Sequence, residues 1–201
     1  MAGVGCGSRT YLYEGDGGPQ DAGVADAGDA GSDAGRDAGP GAPLLFRLSF
    51  ASDIPEPIYI DVTSSGGFGP AFLTLYQGAG ADAPKVRFES DCAVCPCDSG
   101  CTGCPLCGAP LPFVVAIADG DAYDYTWDLR VHPLESCAED AVCQSEEAAA
   151  AGPWQAEFCW ADEATGEGPE QQLIGPLRCE RVPFDLPPRE AVVEYRVNYS
   201  G

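Results

Sequence analysis

Six cysteines fall within 16 residues, at Cys92, Cys95, Cys97, Cys101, Cys104 and Cys107, on a stretch whose largest aliphatic side chains are Val94 and Leu106. So little apolar surface cannot offset the entropy of ordering the backbone, and cross-links, covalent or metallic, must hold the segment. Five further cysteines, Cys6, Cys137, Cys143, Cys159 and Cys179, bring the total to eleven. In a reducing cytosol such usage marks a metal or redox protein; in an oxidising compartment it marks a disulfide scaffold. Setting Cys6 aside leaves ten, an even number that can pair completely, and ten disulfide cysteines are the expectation. Within the six, three small-loop bridges are expected. The last four should staple the Cys137–Cys143 segment and the loop before Cys179 onto the strand Trp154–Trp160, with the pairing left open.

A zinc alternative uses Cys92, Cys95, Cys104 and Cys107. These form two Cys-x-x-Cys knuckles, and Cys104-Pro-Leu-Cys107-Gly resembles the rubredoxin-type turn. Four thiolates around one ion would order the loop as well as bridges do. Parity does not decide, because six cysteines remain after the four are removed. The compartment does: an oxidising exterior favours disulfides, so no cofactor is expected and zinc is kept as the alternative. Catalytic Cys-x-x-Cys chemistry wants an exposed low-pKa thiol at a helix N-terminus, and this Gly/Pro-rich loop lies between strands.

The export expectation comes from the N-terminus. In segment 1–13, Val4-Gly5-Cys6-Gly7 resembles the end of a bacterial lipobox, in which the cysteine receives diacylglycerol. The full pattern carries an apolar h-region upstream, so the expectation places the gene's start before Met1. Residues 14–43 follow as a spacer with five Asp-Ala-Gly units, at Asp21, Asp26, Asp29, Asp33 and Asp37. Ala and Gly bring no surface worth burying and the aspartates repel one another, so the segment is expected to be disordered. A flexible coil of that size reaches roughly 30 Å. The Cys-Gly start followed by Asp/Ala/Gly resembles surface lipoproteins of myxobacteria and related bacteria. That resemblance implies a signal peptide, lipidation of Cys6, and a cell-envelope location, on the outer membrane.

Acidic residues outnumber basic ones by 32 to 10, giving a net charge of -22. Phosphate backbones and anionic headgroups repel such a chain, so nucleic acid is excluded as a partner and the membrane is reached only through the lipid anchor. The longest apolar run, Leu111 to Ala118, is interrupted by Pro112 and is strand-length, far short of the ~20 residues of a membrane helix.

From Leu44 to the end the hydrophobic period is two. Strands are predicted at 44–50, 58–63, 71–76, 85–89, 112–118, 123–131, 154–160 and 191–199, rich in β-branched and aromatic residues and separated by Gly and Pro. In the seventh, Trp154, Ala156, Phe158 and Trp160 share one face, with Gln155, Glu157 and Cys159 on the other. In the last, Val193, Tyr195 and Val197 oppose Val192, Glu194 and Arg196. The predicted fold is all-β: an antiparallel β-sandwich over 44–201 with a disulfide-stapled, cysteine-rich insertion at 91–108. Only Glu139 to Ala151 has helix-forming composition.

The segments Ala118-Asp-Gly120, Tyr125-Thr-Trp127-Asp and Ala151-Gly152-Pro-Trp154-Gln-Ala156 resemble the signature of bacterial immunoglobulin-like modules, including the BsuPI-type proteinase-inhibitor domain. The resemblance spans about 45 residues and implies an immunoglobulin-like sandwich; Gly152-Pro153-Trp154 departs from the usual Gly-Thr-Tyr. A proteinase-inhibitor-like module presenting the cysteine-rich loop is therefore one alternative function.

Catalysis has little to build on. His132 is the single histidine, and no nucleophile elbow, EF-hand or phosphate-binding glycine loop occurs. Asp119, Asp121 and Asp124 lie in an Asp-Gly hairpin stretch where aspartate is turn chemistry. Trp127, Trp154 and Trp160, with Tyr123 and Tyr125, sit at alternating strand positions that favour core packing over a carbohydrate platform. The expectation is a non-enzymatic β domain with a binding or structural role, its partner a surface protein or polysaccharide.

Overall fold

Alternation of buried and half-exposed side chains builds the frame. In Leu44–Ser52, the first strand, Leu44, Phe46, Leu48 and Phe50 are buried while the residues between them are half-exposed. A computed structural model describes residues 42–53, 56–64, 66–99, 113–137 and 141–199. Cys6, Cys101, Cys104, Cys107 and nearly all of the predicted spacer lie outside the described residues.

The strands in chain order are β1 (Leu44–Ser52), β2 (Ile58–Asp61), β3 (Leu73–Gln77), β4 (Cys95–Pro96), β5 (Val114–Ile117), β6 (Ala122–Trp127), β7 (Arg130–Val131) and β8 (Leu134–Ser136). They continue with β9 (Val142–Gln144), β10 (Glu147–Ala148), β11 (Gly152–Trp160), β12 (Glu163–Thr165), β13 (Gln172–Ile174), β14 (Arg178–Leu186) and β15 (Val192–Tyr199). The protein is all-β, as predicted; among the described residues the only helical turns are two short 3-10 segments.

Two three-stranded sheets, β15-β1-β6 and β14-β11-β3, carry the core. Their inner faces meet through aromatic contacts: Phe46 lies edge-on to Phe184 at 5.6 Å between centroids, and Trp127 meets Trp154 at 5.4 Å. Trp127, Trp154, Phe158 and Trp160 are all buried, which makes the tryptophans core and removes them from any stacking platform. Each such side chain contributes on the order of 2 kcal/mol by leaving water. Gly69, at φ 78°, lets the loop before β3 close on this core: a Cβ there would stand 2.1 Å from the Phe88 ring.

Five features of the strand layout depart from the prediction. β1 and β15 pair parallel, Leu45 opposite Val192 through Ser52 opposite Tyr199, within a sheet expected to be antiparallel. β14 is a nine-residue strand over residues to which no strand was assigned. Its Pro183 is tolerated because β14 is an edge strand: β11 turns the backbone of its odd-numbered residues toward β3, so Gln155 opposite Pro183 is not a hydrogen-bonded pair. The segment 123–131 is broken by Leu129, whose φ of 64° is left-handed, and Asp128 Oδ1 accepts from Arg130 N at 3.0 Å across that turn. The helix-forming stretch within 139–151 holds β9 and β10 instead. Pairing of β9 with β4 and β8 overrides propensity there.

Residues 85–89 do not form a strand but stay extended along β3: Val86 N donates to Leu75 O at 2.9 Å, and Phe88 is buried against Tyr125 and Trp127.

Candidate functional site

A small cysteine lobe sits beside the sandwich, with a cleft at its base. Its sheet is β4-β9-β8, with β4 parallel to β9 and Cys95 opposite Cys143. Cys97 and Cys143, 46 residues apart in sequence, are bridged. This bond joins the cysteine-rich loop to the later cysteines, whereas the two groups were expected to pair separately. Cys159 and Cys179 bridge β11 to β14, as the staple onto the Trp154–Trp160 strand anticipated. Cys92, Cys95 and Cys137 are also disulfide-bonded.

Gln144, buried at the end of β9, fixes the approach to the loop. Its Oε1 accepts from Asp91 N at 2.9 Å, and its Nε2 donates to Ser90 Oγ and Asp91 O at 2.9 Å, with Val94 O at 3.3 Å. Asp91 is held again by Arg87 at 2.9 Å and accepts from Ala93 N at its other oxygen. Arg87 in turn stacks over Phe68, 5.1 Å from the ring centre. A side-chain amide thus does for this turn what a strand partner would do. Nothing in the local sequence marks Gln144 except its place after Cys143.

The cleft has a volume of about 480 Å³ and is lined by Ser90, Pro96, Cys97, Asp98, His132, Gln144, Ser145 and Glu146. An adjoining depression runs from His132 and Glu146 to Glu89, Tyr125 and Asp128. His132 is buried, and its backbone N donates to Arg87 O at 2.7 Å. Ser145 Oγ is buried and makes no hydrogen bond, so it is not paired with His132 as nucleophile and base. Tyr125 donates to Glu89 at 2.6 Å; burial first, and then this bond to a carboxylate, push its ionisation far above that of a free phenol. The rim is acidic through Glu89, Asp98, Asp128 and Glu146, so the arrangement suits cationic or hydroxyl-bearing groups.

The other carboxylates singled out in the sequence do not converge. Asp119 Oδ1 accepts from Ser52 N at 2.9 Å. Asp124 is gripped by both ends of the Arg47 guanidinium at 2.7 Å, and those hydrogen bonds hold its carboxyl below the ordinary range. A disulfide sulfur is not a thiolate ligand, so two of the four donors in the zinc alternative, Cys92 and Cys95, are committed elsewhere in this structure. Among the described residues no group of three or more His, Cys, Asp or Glu side chains is placed to hold a metal. No protein family, curated protein or solved structure matches this chain.

Proposed function

We propose that this is an exported, envelope-associated protein, tethered through an acylated Cys6 and carrying a non-catalytic β domain with a binding or structural role. The observation that carries this reading is that all seven described cysteines are disulfide-bonded. Structural disulfides persist outside the reducing cytosol, and an acidic Asp-Ala-Gly stretch between Cys6 and β1 suits a spacer that lifts a domain off a surface. The binding face in this reading is the acidic cleft at the base of the lobe, taking a basic segment of a surface protein or a hydroxyl-rich polysaccharide. An immunoglobulin-like topology belongs to the same proposal, supported by two three-stranded sheets facing each other over one core.

The test expresses the gene with its upstream sequence in a bacterium that acylates lipoproteins. Expected are detergent-phase partitioning and an N-terminal peptide carrying diacylglycerol on Cys6. A soluble product with an unmodified Cys6 overturns the tether. Intact mass with and without reductant tests the compartment: a difference of about 10 Da corresponds to five bridges at ~2 Da each. Stoichiometric zinc with free thiols would instead favour the metal alternative.

A further inference from the structure

The final strand leaves a hydrogen-bonding edge open. Leu45 N donates to Ala191 O at 2.9 Å and Asp53 N to Tyr199 O at 3.3 Å, so the odd-numbered residues of β15 turn their backbone groups toward β1. By the alternation of an extended strand, the N–H and C=O groups of Val192, Glu194, Arg196 and Asn198 point the other way. Among the described residues no strand pairs on that side. The one bond made there is local, from Asn198 Nδ2 to Arg196 O at 3.2 Å. A groove of about 320 Å³ lies between β14 and the start of β15, and among the described residues no backbone bond joins the two strands.

The other long edges are guarded. Beside β3, Gln77 N donates to Pro84 O and Val86 N to Leu75 O. β14 puts Pro183 on its outer side, a known device against edge pairing. The edge of β6 is shorter and carries Asp124, already taken by Arg47.

We propose that β15 is the interface of a twofold dimer, pairing antiparallel with the same strand of a second copy about Tyr195. Register follows from which groups face outward. Only pairings that set even-numbered residues against even-numbered ones let both strands use their free N–H and C=O groups. Centring on Tyr195 places Glu194 opposite Arg196 twice, Val192 opposite Asn198 twice, and Val193 opposite Val197 on the inner face. Centring on Glu194 or Arg196 would instead set like charges face to face. Across the outer face, Asp124, Arg47 and Glu194 already stand in line by register. Arg196 of the second copy extends this row of alternating sign. In the single chain Arg196 has no ion-pair partner among the described residues. The result is a continuous six-stranded sheet with no unpaired strand at its centre.

Sedimentation velocity of the purified chain over a concentration series tests this. The expected result is a monomer–dimer equilibrium. Arg196→Glu and Glu194→Arg, each putting like charges opposite one another, should weaken the dimer on the order of tenfold or more. Mixing these two variants makes every charged cross-strand pair complementary again, so the equimolar mixture should dimerise more tightly than either variant alone. Circular dichroism of each variant confirms folding. Arg196→Pro, which blocks the outer edge without touching a bond to β1, should be monomeric. A wild-type chain that stays monomeric throughout, variants that dimerise as wild type does, or a mixture that stays monomeric overturns the proposal.

Discussion

The sandwich and the cysteine lobe solve the same problem by different means. In the sandwich, β1, β6, β11 and β15 bring Phe46, Trp127, Trp154, Phe158 and Val197 into one core, all buried. The lobe has no such core: its strands are two or three residues long, and Leu134 and Val142 are exposed. Order there comes from the Cys97–Cys143 bridge and from Gln144 bonding the turn at Ser90–Val94. A chain can therefore extend a fold beyond its apolar supply, provided covalent bonds and satisfied polar groups take over. The cleft is lined by the lobe and its flanking loops, and the adjoining depression carries it to Tyr125 and Trp127 of β6.

That contrast can be broken in graded steps. The largest effect is expected for Trp154→Ala, which leaves a cavity against Trp127 and Phe184 and should lower unfolding free energy by about 3–5 kcal/mol. Denaturant titration measures it, and a loss below about 1 kcal/mol would deny the tryptophans their place as core. Next comes the Cys97→Ser, Cys143→Ser pair, expected to cost about 2–4 kcal/mol. Hydrogen exchange should quicken at Val142–Gln144 and leave β11 protected; equal loosening of both would mean that lobe and sandwich are one cooperative unit.

Gln144→Leu keeps the volume but strands Asp91 N and the Asp91 carbonyl, at a cost of about 1–3 kcal/mol. A neutral result would show that water replaces the amide and that the turn does not depend on it. The smallest effect belongs to the exposed Arg47–Asp124 pair. Because Asp124 has a lowered folded pKa, its contribution is present above the ordinary aspartate range and is lost as pH falls through the folded value. Asp124→Asn should therefore narrow the gap in melting temperature between neutral and acidic buffer, leaving the acid end nearly unchanged. A variant with the wild-type pH profile would show that the pair adds nothing to stability.

Much of the frame was legible because alternation is a local property. Leu44 to Phe50 and Trp154 to Trp160 reveal their buried faces without reference to any neighbour. The β14 strand was not legible, since Arg178-Cys-Glu-Arg-Val-Pro183 alternates weakly and its proline argues against a strand; only an edge position makes it acceptable. The cleft was less legible still. The burial of His132 beside Gln144 and Ser145 depends on how the lobe docks, which no local pattern carries.

The sequence by itself therefore determined the all-β class, which side of each main strand faces inward, and the need for cross-links around 92–107. The tertiary structure alone decided the parallel pairing of β1 with β15, the bridge from Cys97 to Cys143, and the open edge at Glu194 and Arg196. The physical reason is range. A side chain's face follows from its immediate neighbours along the strand, whereas a strand's partner depends on closing loops and packing surfaces far apart in the chain.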